Sequence, residues 1–193
     1  MTGDEMRKSI EGLEGRIRRH VMDHPPSCLS GFEPWLVVHA DGAWNGQTEW
    51  GIQCACGGEV GEVLGYSLAD LNPRYEGPLL FVTPLAFQCC RCERVTEIID
   101  TDRHGYDGEN KQKFGGVGAA TYRGEGERKT FNCGECGKTH FTVTAGFQYS
   151  DFDHVEDEPD LEPVAQDYFD WFVSTGVCAA CGKSQCIGDY ELA

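Results

Sequence analysis

From Phe141 to Tyr149 the apolar residues fall on every second position, Phe141, Val143, Ala145, Phe147 and Tyr149. That is the period of a strand with one buried face. Apolar runs at 60–66, 78–87 and 95–99 predict three further strands. Residues 35–39 predict a short buried one, which turns at Asp41-Gly42 and Asn45-Gly46 fold back onto 49–52. Residues 67–72 read as a helical turn stopped at Pro73. At the amino terminus the period changes to that of a helix. Thr2-Gly3-Asp4-Glu5 has the form of a capping box, and Met6, Ile10, Leu13, Ile17 and Val21 follow at helical spacing until Pro25-Pro26 end the run. Arg16, Arg18 and Arg19 are assigned to the solvated face of this helix. A second short helix is expected from Pro163 through Tyr168, Phe169, Trp171 and Phe172.

The cysteines punctuate this pattern. Cys133-Gly-Glu-Cys136-Gly137 is answered 41 residues later by Cys178-Ala-Ala-Cys181-Gly182. A less regular version, Cys54-Ala-Cys56-Gly57, is followed after 32 residues by Cys89-Cys90-Arg91-Cys92. Two C-x2-C corners, each followed by a glycine that tolerates a positive φ, are the arrangement that gathers four thiolates around one tetrahedral ion. The predicted ligands are Cys133, Cys136, Cys178 and Cys181 for one ion and Cys54, Cys56, Cys89 and Cys92 for the other. Both halves run pair, strand, insert, apolar segment, pair, so the chain reads as an internal duplication. The expected organisation is an amino-terminal helix and hairpin over 1–49, a first module over 50–104, a glycine-rich connector over 105–129 and a second module over 130–193, with two modest cores.

The knuckles Cys133-x2-Cys136-Gly137 and Cys178-x2-Cys181-Gly182 resemble those of zinc ribbons and rubredoxins. The likeness covers the knuckles and flanking strands, about half the chain. It implies a mostly β fold with short helices, built from two zinc-ribbon-like modules, and two structural Zn2+ ions. It implies no particular activity, because zinc ribbons serve many functions.

Composition narrows the functional classes. The charged amino terminus has no apolar h-region and no run approaches the ~18–20 apolar residues of a membrane span, so a cytoplasmic chain with reduced thiols is expected. The formal charge of −16 is unevenly placed, with −10 in residues 151–193 and +3 in residues 111–150. Two tetrathiolate zinc sites would carry it to about −20. Such a chain repels phosphate backbones and attracts basic proteins. The sequence therefore points to a non-catalytic interaction module, an adaptor or an inhibitor-type protein, that takes a basic partner through Asp153, Glu156, Asp157, Glu158 and Asp160. Two alternatives stand beside it. One is nucleic-acid binding through Lys111, Lys113, Arg123, Arg128 and Lys129 with Phe114 or Tyr122 stacking, and the other is an iron-loaded redox protein.

Smaller motifs carry less. No nucleophile elbow, phosphate loop or open His-rich metal site is present. His39-Ala40-Asp41 departs from the zinc-deaminase pattern at its acid and at the missing prolines. Asp100, Asp102 and Gly105 follow calcium-loop spacing, but His104 and Lys111 occupy ligand positions. Cys90 is read as a bystander, Cys186 as a buried thiol, Cys28 as a small core residue and His140 as exposed.

Overall fold

The computed structural model describes residues 15–37, 46–106, 123–149 and 159–192, with the side chains of 159–162 left aside. Helix α1 covers 15–23 and buries Ile17 and Val21 completely, while Arg16 and Arg19 face outward as the helical pattern requires. A 3-10 turn at Ser27–Leu29 follows, and nine strands follow among the described residues: β1 (Trp35–Leu36), β2 (Gln47–Gly51), β3 (Val60–Ser67), β4 (Phe81–Cys89), β5 (Val95–Ile99), β6 (Lys129–Thr130), β7 (Phe141–Gln148), β8 (Trp171–Cys178) and β9 (Ser184–Glu191). A single-turn helix α2 (Leu68–Leu71) leaves β3 and a kinked 3-10 segment (Pro159–Asp167) precedes β8.

The fold is mostly β, with two alike halves in one curled antiparallel sheet. In the first half β3 pairs with β4 and β4 with β5; in the second β7 pairs with β8 and β8 with β9. Gly61 lies opposite Cys89 in the first half, and Phe141 lies opposite Cys178 in the second, so the two ladders have the same register relative to their cysteines. The halves join where β3 meets β7 antiparallel, through Gly61↔Phe141 and Val60↔Thr142.

One core, rather than the two expected, fills the inside of the curl. Phe131 packs edge-on against Phe81 and Phe141, with ring centroids 5.2 and 5.6 Å apart, and Phe147 packs against Phe169 and Phe172. These side chains belong to a single buried cluster that reaches from Ile17 to Leu192. The halves divide its volume in opposite ways. In the first half, Gly61 on β3 makes room for the Phe87 ring of β4, and in the second, Gly176 on β8 makes room for Phe141 of β7. Interiors packed this closely accept one aromatic per site and no more.

Two further sequence expectations change. Trp171 and Phe172 open strand β8 instead of closing a helix; from Phe172 to Cys178 every second side chain is buried, a period of two that pairing with β7 enforces. Trp35 belongs to a strand that, among the described residues, pairs only with β2; it is 43% exposed and its indole lies across Gly51. Val38 and His39, expected in the same strand, lie outside the described residues.

The amino-terminal segment is held by its own contacts. His20 Nε2 bonds Gln166 Oε1 at 2.7 Å, and Asp167 Oδ1 accepts the Ser27 amide at 2.6 Å. Just beyond β5, Arg123 makes a two-pronged pair with Asp100, at 3.1 and 3.0 Å. Burial pushes the Asp100 carboxyl upward, but the Arg123 guanidinium and the Asp102 amide outweigh it and hold the group below the ordinary aspartate range.

A Cβ added at Gly61 would stand 2.4 Å from both Gln88 O and the Phe87 ring. Gly61→Ala is therefore expected to destabilise the chain by about 1–3 kcal/mol, read as a lower urea midpoint. Gly15→Ala, where nothing lies within 4 Å, is expected to stabilise α1 by up to about 1 kcal/mol in the same assay.

Candidate metal centres

Each cysteine pair sits in a tight turn that local hydrogen bonds close. The Cys133 amide donates to Lys138 O at 2.7 Å, and the Cys133 carbonyl accepts the Gly137 amide at 2.8 Å. Cys178 repeats this with Lys183 and Gly182, and Cys89 with Arg94 and Glu93. The Cys54 turn is one residue shorter, closing through Gly57 and Gly58, which is how Cys54-x-Cys56 still forms a knuckle. All four turns need one residue in the left-handed region. Gly57, Gly137 and Gly182 supply it at φ 79, 70 and 74°, and Glu93 supplies it at 60°. Sequence reading passed over Glu93 because its identity carries no turn signal; only its position after a C-x2-C pair does.

The turns aim their sulfurs at two points. The Sγ atoms of Cys54, Cys56, Cys89 and Cys92 all lie within 4.8 Å of one another, as do those of Cys133, Cys136, Cys178 and Cys181. Cys54 and Cys92 approach to 3.5 Å, and Cys56 and Cys89, Cys133 and Cys181, and Cys136 and Cys178 to 3.6 Å. A disulfide needs ~2.05 Å. A tetrahedral ion with Zn–S bonds of ~2.3 Å sets its sulfurs about 3.8 Å apart, so the spacing suits a metal and not a bridge. In each group two sulfurs belong to buried cysteines, one of them the last residue of β4 or β8, and the other two belong to more exposed cysteines.

Metal-free, such a group is electrostatically frustrated. Burial works against ionisation of Cys133, but the amides of Cys136 and Glu135 and the Cys181 thiol outweigh it and lower the thiol to about 6. At Cys89 burial again opposes, and the amides of Arg91 and Cys92 with the neighbouring thiols bring it to about 7. Cys56 is pushed up to about 12, first by the Cys92 thiol and then by burial. Cys181 also rises to about 12, since burial and the three neighbouring thiols overcome the Lys183 amide. One sulfur ionises readily and another resists, because charges this close cannot all be present without a cation between them.

No family model, curated protein or solved structure matches the chain.

Supporting contacts outside the cysteines were not legible in the sequence. Gln185 Nε2 donates to Cys133 Sγ at 2.9 Å while its Oε1 accepts the Gly134 amide at 2.8 Å, so one side chain braces the knuckle and orients its sulfur. In the first group Arg91 Nη1 donates to Cys56 O at 2.9 Å and ties the two knuckles together.

Other candidates fall elsewhere. Cys28 is buried in the core, Cys90 is exposed beside the first group without joining it, and His140 is 56% exposed, its Nε2 at 3.8 Å from Glu62. Cys186 is exposed rather than buried; Ile187 takes the inward position of β9 and turns its neighbour out. The calcium-loop reading fails at its first ligand. The Asp100 carboxylate is occupied by Arg123, and its amide donates to His104 Nδ1. Asp41, Lys111, Lys113, Phe114, Tyr122, Asp153, Glu156, Asp157 and Glu158 lie outside the described residues, as does the side chain of Asp160.

Two outcomes follow. Relieving the left-handed strain with Glu93→Gly is expected to raise stability by about 0.5–1 kcal/mol in chemical denaturation, the larger backbone entropy of glycine offsetting part of the gain. Because Cys56 and Cys181 hold protons at neutral pH, metal uptake must expel them and apparent affinity must rise with pH. It must fall further as Cys89 and Cys133 gain protons near pH 7 and 6. Calorimetry in buffers of different ionisation heat counts those protons; uptake that releases none would contradict this electrostatic account.

Proposed function

We propose that the chain is a non-catalytic, acidic interaction protein, an adaptor or an inhibitor-type molecule, whose two tetrathiolate sites hold structural Zn2+ and whose acidic surface takes a basic partner protein. The observation that carries this reading is the fate of its basic side chains. Arg123 pairs with Asp100 and Asp102, Arg128 with Glu97, Lys129 with Asp70 and Arg103 with Glu97. The three described members of the cationic island that would have met phosphates, Arg123, Arg128 and Lys129, are thus paired within the protein, against a formal charge of −16. That weighs against nucleic acid, which needs accessible Lys and Arg, and in favour of a cationic protein.

The sites themselves support a scaffold role. Four thiolates saturate a tetrahedral ion and leave no position for substrate or water. Zinc is favoured over iron because two unlike groups, one with a shortened knuckle, suit a staple better than an electron carrier. The contacts are assigned to the acidic segment of the second module, 130–193, at Asp153, Glu156, Asp157, Glu158 and Asp160.

Native mass spectrometry of tagged protein recovered gently from its host reads both halves of the proposal. Two zinc ions with a basic protein attached are expected. Nucleic acid in its place, iron, or a metal-free chain would each overturn a different part. Changing the five acids to Asn or Gln is expected to weaken partner capture at least about tenfold while both metals stay bound, and capture should fall with added salt. Undiminished capture by that variant would remove the segment from the interface.

A further inference from the structure

The two halves do not sit side by side as independent units; each is completed by the other. Among the described residues, the strand that leads into a half's first knuckle does not pair with the three-stranded ladder of that half; β2 has only the short β1 on its other edge. β2, which enters the Cys54 knuckle, pairs with β7 of the second half through Trp50↔Ala145 and Gly51↔Thr144. β6, which enters the Cys133 knuckle, pairs with β3 of the first half through Lys129↔Gly65 and Thr130↔Leu64. The exchange extends to the residue nearest each knuckle. The Ile52 amide donates to Val143 O at 3.0 Å, and the Phe131 amide donates to Val63 O at 2.8 Å.

These contacts are reciprocal in detail. Ile52 and Phe131 each stand two residues before the first cysteine of their half, and Val63 and Val143 occupy matching places on β3 and β7. Gly61 and Phe141, also matching, face each other at the junction. The joint therefore has local twofold symmetry, and both Ile52 and Phe131 are fully buried within it. Each first knuckle is anchored, two residues before its first sulfur, on the strand that begins just after the other half's first knuckle.

From this geometry we propose that the two metal sites are coupled: an ion in one site stabilises the other, and the pair loads and empties together. The inference rests on the metal reading above. An ion closing the Cys54 knuckle holds β2 on β7, and β7 is paired along its opposite edge with β8, which ends at Cys178. The same chain runs in reverse from the Cys133 knuckle through β6 and β3 to β4 and Cys89. Loss of one ion frees an inserted strand and exposes the edge of the sheet that positions the other pair of sulfurs. Coupling between sites joined by a shared ordered element commonly amounts to ~5–150-fold in affinity.

The test uses the full chain loaded with zinc and challenged with increasing amounts of a competing chelator at equilibrium, each mixture read by native mass spectrometry. Two independent sites, equal or unequal, must pass through a mixture in which the singly loaded form reaches roughly half of the molecules or more. Coupled sites keep it clearly below that level, and this is the expected result. A second measurement follows zinc release from the Cys54→Ser, Cys56→Ser double variant, whose remaining ion should leave about tenfold faster than the ions of the unaltered chain. A singly loaded form that accumulates to half or beyond, together with an ion that leaves the double variant no faster than the same ion leaves the unaltered chain, overturns the coupling and leaves the metal reading intact. A chain that takes up no zinc overturns both.

Discussion

Eight cysteine sulfurs in two groups, each within 4.8 Å, are the arrangement on which everything else turns. Four thiolates so close repel one another, and that repulsion, with burial and the amides of the turns, spreads the thiol acidities from about 6 to about 12. A divalent cation removes the conflict by replacing proton sharing with bonds. The local turns exist to make this possible. Their amides point at sulfur, and their one left-handed residue allows the reversal, even where that residue is Glu93 and the backbone has to bear the strain.

From the knuckles outward, the sheet follows from how their strands can be satisfied. A knuckle delivers one strand in and one strand out, and each strand presents amides and carbonyls that must be paired if they are buried. Here the incoming strands β2 and β6 find their partners across the joint, and a single sheet results. The core is continuous for the same reason. Phe131 enters with β6 and lands between Phe81 of one half and Phe141 of the other, so the aromatic packing crosses the joint along with the hydrogen bonds. Near-identical plans still fill their interiors differently, with Gly61 under Phe87 in one half and Gly176 under Phe141 in the other. Close packing demands that an enlargement on one strand be matched by a reduction on its neighbour.

Charge is the second organising constraint, and it works at the surface. Arg103, Arg123, Arg128 and Lys129 pair with acids of their own chain, most firmly where Arg123 grips Asp100. The chain as a whole carries a formal charge of −16, and a field of one sign raises the local concentration of oppositely charged molecules.

The local features of this protein were legible in its sequence. A C-x2-C-G corner is made by five consecutive residues, and a strand with one buried face repeats its apolar residues every second position. Phe141 to Tyr149 and the Cys133 group could therefore be placed from residue identity alone. Legibility failed where the deciding partner is distant. Trp171 and Phe172 have no strand signature until β7 lies beside them, Cys186 faces outward because Ile187 packs inward, and the calcium-like spacing from Asp100 is cancelled by an arginine 23 residues away. Above all, nothing in Ile52 or Phe131 marks the strand each would join, because a backbone hydrogen bond carries no side-chain signature. The sequence by itself determined which sulfurs could gather and which segments would be strands, since both depend on neighbours along the chain. Only the tertiary structure decided that each half would be closed by a strand from the other, since that depends on which unpaired edges meet when the chain collapses around one core.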